Sequence, residues 1–259
     1  MKNLLFIVII FFCRINVYCQ ENGNYDFNIQ YDMQLNLNGN SNYKANLYFN
    51  NIQSLFVYKE NPFEEKELTE KEISKTIEAS NNASFTLRFK DTVRLSMKYN
   101  RNENLIKEFI RGFNNKFYQV TESAPKLIWT ISEEHKKIDL YECTKATCSF
   151  RGRNYIVWFT TAIQTSFGPL KLHGLPGLIL ELIDEEKEVM LSARVVKKEE
   201  NIIENDPNGT IIISRSDYQK IKLGEIKKVE EILNRVSSKS ERGFTITAKI
   251  NSIKSIEID

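Results

Sequence analysis

The 259-residue sequence predicts a mainly β protein, with an antiparallel sheet curled into a half barrel or open barrel and one amphipathic helix near the C-terminus. Three observations carry this prediction. Apolar and polar residues alternate with a period of two in many separate segments, as in strands with one wet face. The breaks between these segments hold Asn, Asp, Gly and Lys, which suit tight hairpins. Helical spacing of apolar residues stands out in one late segment alone. Hairpin-linked strands with one apolar face must curl or stack to shelter it, and a single amphipathic helix is the expected plug for such a trough.

The first strand is the clearest. Phe27, Ile29, Tyr31, Met33, Leu35 and Leu37 alternate with Asn28, Gln30, Asp32, Gln34 and Asn36. Asn38-Gly39-Asn40 then tolerates positive φ, and Tyr43, Ala45, Leu47 and Phe49 resume the pattern, which predicts a hairpin. A second hairpin is expected from Phe85, Leu87 and Phe89 through Lys90-Asp91 to Val93, Leu95, Met97 and Tyr99. Residues 60–82 between them are rich in Glu and Lys and read as a solvated excursion with a short helix. Further strands are expected at 105–113, 117–122, 137–150, 154–160, 178–184 and 189–197. Ile226, Val229, Ile232, Leu233 and Val236 predict the helix, with Ser216-Asp217 at its start and Gly224 weakening its first turns. Phe244, Ile246, Ala248 and Ile250 predict a closing strand.

Residues 1–19 follow a different rule. Lys2 precedes an unbroken apolar run at 4–12, too short for the roughly 20 residues of a membrane span but matching the core of a signal peptide. Val17 and Cys19 are small enough to direct cleavage before Gln20, whereas Tyr18 argues against lipid attachment at Cys19. The expectation is an exported chain with 20–259 as one β-rich domain, in the periplasm or associated with the outer membrane, with no transmembrane span in the mature part. Losing Lys2 and Arg14 takes the formal charge from +2 to zero. A neutral chain has no bulk attraction to nucleic acid, so no nucleic-acid partner is expected.

The middle of the chain is densest in special residues. It holds Leu127-Ile128-Trp129, Tyr141-Glu142-Cys143-Thr144-Lys145-Ala146, and Phe150-Arg151-Gly152-Arg153-Asn154-Tyr155 followed by Trp158-Phe159-Thr160. It ends in Gly168-Pro169-Leu170-Lys171-Leu172-His173-Gly174-Leu175-Pro176-Gly177-Leu178-Ile179. The order and spacing of these blocks resemble the GLPGLI family of exported bacterial proteins. The resemblance implies a protein of a Gram-negative envelope and implies no catalytic residue. Leu170 and Leu172 depart from the bulky aromatics usual in that block.

Physically, Leu175-Pro176-Gly177-Leu178 has the composition of a type II turn, with proline fixing φ and glycine supplying positive φ. Residues 178–184 are apolar on both faces, as in a central strand. Residues 161–177 form a long connection that either seals one end of the trough or binds a ligand. Gly168, Pro169, His173, Gly174, Leu175, Pro176, Gly177, Leu178 and Ile179 are therefore the candidate binding or signature-loop residues. Trp158 joins them as an aromatic that either packs in the core or lines a ligand groove.

Catalytic residues are not expected. His135 and His173 are the two histidines, no Gly-x-Ser-x-Gly elbow accompanies them, and no pair of carboxylates stands out. His173 is the histidine to test. Cys143 and Cys148 are the cysteines left after cleavage, and an oxidising compartment favours a disulfide. An offset of five on one continuous strand would put them on opposite faces, so a bond needs a turn or bulge at 144–147, and two free thiols are the alternative. The scattered spacing of His and Cys predicts neither a metal nor a cofactor. The expected function is a non-enzymatic ligand-binding or carrier module that holds an apolar small molecule on a concave sheet. The alternative is an interaction subunit of an outer-membrane transport or secretion complex.

Overall fold

The computed structural model describes residues 22–37, 40–59, 94–112, 116–198, 202–203, 209–238 and 256–257. The expected signal peptide, the excursion at 60–82, the segment 85–89 and the closing strand at 244–250 lie outside the described residues.

The fold is mainly β, built on one open sheet of twelve strands. Its first meander runs through β2 (Phe27–Leu35), β3 (Ser41–Phe49), β4 (Gln53–Lys59), β5 (Arg94–Asn100), β6 (Leu105–Arg111) and β7 (Phe117–Ser123). The second runs through β8 (Thr130–Ile138), β9 (Tyr141–Phe150), β10 (Arg153–Thr160), β11 (Leu178–Asp184) and β12 (Val189–Lys198). β12 pairs with β2 and joins the two meanders, while β14 (Ile211–Ser214) adds in parallel to β7. A separate two-stranded pairing links β1 (Asn22–Gly23) to β13 (Ile202–Ile203). The helix α1 (Arg215–Ser238) follows β14 directly.

This order dictates curvature. β7 and β8 lie ten strand positions apart in the sheet. On a flat sheet that is about 48 Å. Yet residues 124–129 alone connect them, and a chain of that length reaches no more than about 25 Å. The two wings must therefore curl toward each other. Glu122 of β7 indeed meets Arg151, in the turn after β9, at 2.6 Å. The sheet is a curled, open structure, as the alternation predicts.

Period-two patterning fills the inside of the curl. Ile29, Tyr31, Met33, Ala45, Leu47, Val157, Leu180, Leu182 and Leu191 are all buried in one core. The first hairpin forms as expected, with Leu35 opposite Ser41 and Phe27 opposite Phe49. β5 is flanked by β4 and β6. The segment expected as one strand at 137–150 is instead the end of β8, a turn at Asp139-Leu140, and β9. Thr130–Ile138 escapes sequence patterning because an edge strand wet on both faces has no apolar alternation, and it is largely exposed.

The helix is present, and its described side chains do not plug the trough. Its start, at Tyr218 and Ile221, packs on a small separate cluster with Ile110, Tyr118, Val120 and Ile213. Ser214 caps it, its hydroxyl accepting from the Asp217 amide at 3.2 Å, so the cap falls before the expected Ser216-Asp217. The space inside the main curl is taken by the connection 161–177, whose Phe167, Leu170, Leu172 and Leu175 are all buried there.

Candidate functional site

The signature loop folds back on itself before entering β11. Phe167 and His173 bridge in antiparallel fashion, the Gly174 amide donates to Ser166 at 2.8 Å, and the Leu172 amide donates to Pro169 at 3.2 Å. Leu170 has φ 58°, an uncommon conformation for a bulky residue.

The glycines are required for a different reason than turn chemistry predicts. Gly177 does not have positive φ, so the type II turn expected at 175–178 does not form. A Cβ there would lie 2.1 Å from the Thr160 carbonyl oxygen, so only glycine lets the loop's exit pass the end of β10. Gly168 is similarly crowded, with Leu172 O and Ile179 Cδ1 each at 2.8 Å from such a Cβ. Gly174 is the signature glycine with positive φ, at 94°. Leu175, Leu178 and Ile179 are buried core, and Pro176 is exposed. The Tyr31 hydroxyl donates to the Ile179 carbonyl at 2.7 Å, and burial pushes its phenol far above the ordinary range.

His173 sits between the two wings. Its ring lies 4.8 Å from that of Tyr99 on β5, and its carbonyl accepts from Trp129 Nε1 at 2.8 Å. The ring also bonds to the Pro125 backbone, whereas Nε2 is buried with no hydrogen-bond partner. Burial holds its pKa below the ordinary histidine value. Among the described residues no acid or nucleophile is disposed around it in the manner of a triad, and its contacts anchor the loop between β5 and the approach to β8.

Behind the loop lies a buried ionic network that sequence reasoning did not find. Lys171 Nζ reaches Glu108 at 2.6 Å, Glu122 at 2.7 Å and Glu257 at 2.9 Å, and its side chain is 1% exposed. Arg215 at the start of α1 reaches Glu257 at 2.5 Å. Arg153 is also buried, pairing with Asp184 at 2.5 Å and Glu188 at 2.8 Å. Asp184 also accepts from the amides of Glu188 and Val189, which fixes the turn between β11 and β12. A signal existed in the strand parity. Glu108 shares the inward parity of Ile106 and Ile110, Arg153 that of Tyr155 and Val157, and Asp184 that of Leu182.

Trp158 is not with the loop. Register places it on the sheet's outward face, in a cross-strand row running Lys145, Trp158, Glu181, Ser192, Asp32 and Lys44. The neighbouring row holds Ile156, Ile183, Met190, Gln34 and Asn42. All of these but Lys145 line a groove of about 970 Å³. The Lys136 ammonium caps the Trp158 ring at 4.5 Å and pairs with Glu181. Asp32 takes both Lys44 and, at 2.6 Å, Arg194, and its bond to Lys44 leads the causes that hold its carboxyl below the usual range. The groove thus joins an apolar floor to paired charges.

Both candidate disulfide cysteines are free and buried on β9. That strand runs from 141 to 150, pairing with β10 over 144–150 without a register shift and with β8 at Cys143, so the odd offset separates the two thiols across the sheet. Burial pushes the Cys143 thiol up and that of Cys148 up to about 12, which keeps both protonated and poor as nucleophiles. Among the described residues, no group of three or more His, Cys, Asp or Glu is placed to hold a metal ion.

No protein-family model matches the chain, and no curated protein matches it. Among solved structures it is similar to PNGF-II in two crystal forms, P21 and C2, each at 18% identity with a TM-score of 0.50. Those matches cover 77% of this chain and 33% of PNGF-II, so the chain spans about a third of that protein's length. An uncharacterized conserved protein from Thermus thermophilus matches at 11% identity and a TM-score of 0.38, covering 73% of this chain and 90% of that one. At such identities the likeness to PNGF-II is one of fold.

Proposed function

We propose that the protein is an exported ligand-binding module of the cell envelope, in line with the resemblance to the GLPGLI family. It would hold an amphipathic small molecule on the outward face of its sheet. The observation that carries this reading is the groove of about 970 Å³ around Trp158, in the size range of small-molecule sites. A ligand's apolar body would lie along Ile156, Ile183, Met190 and Trp158. Its polar end would exchange with the paired charges of Lys136 and Glu181 or of Asp32 with Lys44 and Arg194. The concave side, where a carrier would ordinarily keep an apolar ligand, is packed by the chain's own Phe167, Leu170, Leu172 and Leu175.

Trp158 makes the test direct, because Trp129 is the only other tryptophan. In a Trp129→Phe background, titration with lauric acid or a zwitterionic detergent below its micellar concentration should shift Trp158 emission saturably. Ile183→Glu should weaken binding about tenfold while leaving the circular dichroism unchanged, since it places a charge on the apolar floor. Linear, unsaturable emission changes with either probe would overturn the reading.

A second reading, docking on an envelope complex, has its own observation. β8 is an open sheet edge beside exposed Ile128, Ile131 and Leu140. Crosslinking from β8 to an envelope protein, with no ligand retained in native mass spectrometry, would favour it over the groove.

A further inference from the structure

The outward face of the sheet already holds an ammonium in a recognition geometry. Trp158 and Glu181 are direct cross-strand partners, so ring and carboxylate stand side by side. The Lys136 ammonium lies 4.5 Å from the centre of the Trp158 ring and pairs with Glu181. A cation over an indole face is attracted by the ring quadrupole, and the carboxylate beside it adds a charge of opposite sign.

Lys136 is a stretched occupant of this place. It sits on β8, and β9 and β10 stand between that strand and Glu181 on β11. Three strand spacings are about 14 Å, so the lysine must lie extended across the surface to bring its tip to the carboxylate. Holding a long side chain to one such path costs rotamer freedom. The side chains of Lys136 and Glu181 stay 36% and 35% exposed, so a ligand can reach the pair. The neighbouring cations are engaged elsewhere: Lys145, opposite Trp158, pairs with Glu134 at 2.6 Å, and Lys44 and Arg194 both hold Asp32. Among the described residues, Lys136 is the cation that serves both Trp158 and Glu181.

We infer that Trp158 and Glu181 form a seat for the ammonium group of a ligand, with Lys136 as an internal competitor that leaves when the ligand binds. The ligand class is an amine or quaternary ammonium carried on an apolar body, the body lying on Ile156, Ile183 and Met190. This inference rests on the groove proposed above as the binding site, and it chooses between the two charged ends of that groove. At the Asp32 end two cations share one carboxylate and would repel an ammonium. The Trp158 end offers a ring face and a carboxylate.

The test uses the full chain with Trp129→Phe, so that Trp158 alone reports. Dodecyltrimethylammonium and laurate, each below its micellar concentration, are titrated against Trp158 emission. The ammonium should bind at least about tenfold tighter than laurate. Lys136→Gln, with unchanged circular dichroism, should tighten ammonium binding about fivefold further without tightening that of laurate, and Glu181→Gln should weaken it about tenfold. A second measurement needs no variant at the seat: saturating ammonium should speed acetylation of Lys136 by acetic anhydride at least about twofold, located by mass spectrometry, because the amine is set free. Equal affinity for the two probes, no gain of ammonium affinity in Lys136→Gln, no loss in Glu181→Gln, or acetylation that is unchanged or slower would overturn the inference. Saturable binding of laurate without that of the ammonium would sink this seat and leave the groove standing; if neither probe binds saturably, the groove falls with it.

Discussion

Gly177 shows how a signature residue can be fixed by space alone. The oxygen of Thr160 occupies the position a side chain would need, and both atoms belong to backbone that the sheet holds rigid. Gly177→Ala should therefore cost about 3 kcal/mol in chemical denaturation, as a clash in a packed region. Gly174→Ala is strained by its positive φ but has room, with Trp129 Nε1 at 3.8 Å from the added Cβ. It should cost about 1 kcal/mol. His173 makes a pH prediction. Burial lowers its pKa in the fold, so the unfolded chain takes up the proton first. Stability should fall as pH drops below about 6.5, and the loss should level off only below the folded value. His173→Gln should flatten the melting temperature between about pH 7.5 and 5.5, above the range where carboxylates titrate; an unchanged slope would contradict this.

At the level of elements, α1 offers the cleanest single change. Gly224 lies in its interior, with nothing within 4 Å of where a Cβ would stand and with no positive φ. Gly224→Ala should therefore stabilise the protein by about 1 kcal/mol through helix propensity, seen as a raised midpoint in urea. The elements legible in the sequence are those with one dry face, such as β2, β3 and β12, whose alternation survives because their inward residues meet the core. β8 is hidden from such a reading because both its faces are wet, and the cap of α1 is shifted because Ser214 precedes the polar pair Ser216-Asp217. The ionic network is readable only as charges of inward parity, and the partners that neutralise them come from distant strands, which no local pattern specifies.

For the whole molecule, the decisive constraint is the short link between β7 and β8. It forces the wings together, and Glu122 and Arg151 mark where they meet. Glu122→Cys with Arg151→Cys should be linked within the monomer by a short bismaleimide, which spans the length of the two side chains it replaces, detected by faster migration on a denaturing gel. Bonds formed only between molecules would show the wings apart. This closeness explains why the interior is filled by a loop and not by the helix. A trough whose rims converge has a narrow mouth, and 161–177 enters from the end of β10, already inside it. The groove around Trp158 follows the same geometry: what the curl encloses is packed, and the groove lies on its outer face.

The seam between β12 and β2 joins residues made far apart in time. Asp32 and Arg194, which meet across it, are 162 positions apart. The first meander therefore has nothing to seal β2 until most of the polypeptide has been synthesised, and contacts of such long range form slowly. Until then the inner border of β2 is a bare template for mispairing. Substitutions in β12 should accordingly lower the yield of folded protein more than they lower the stability of the molecules that do fold.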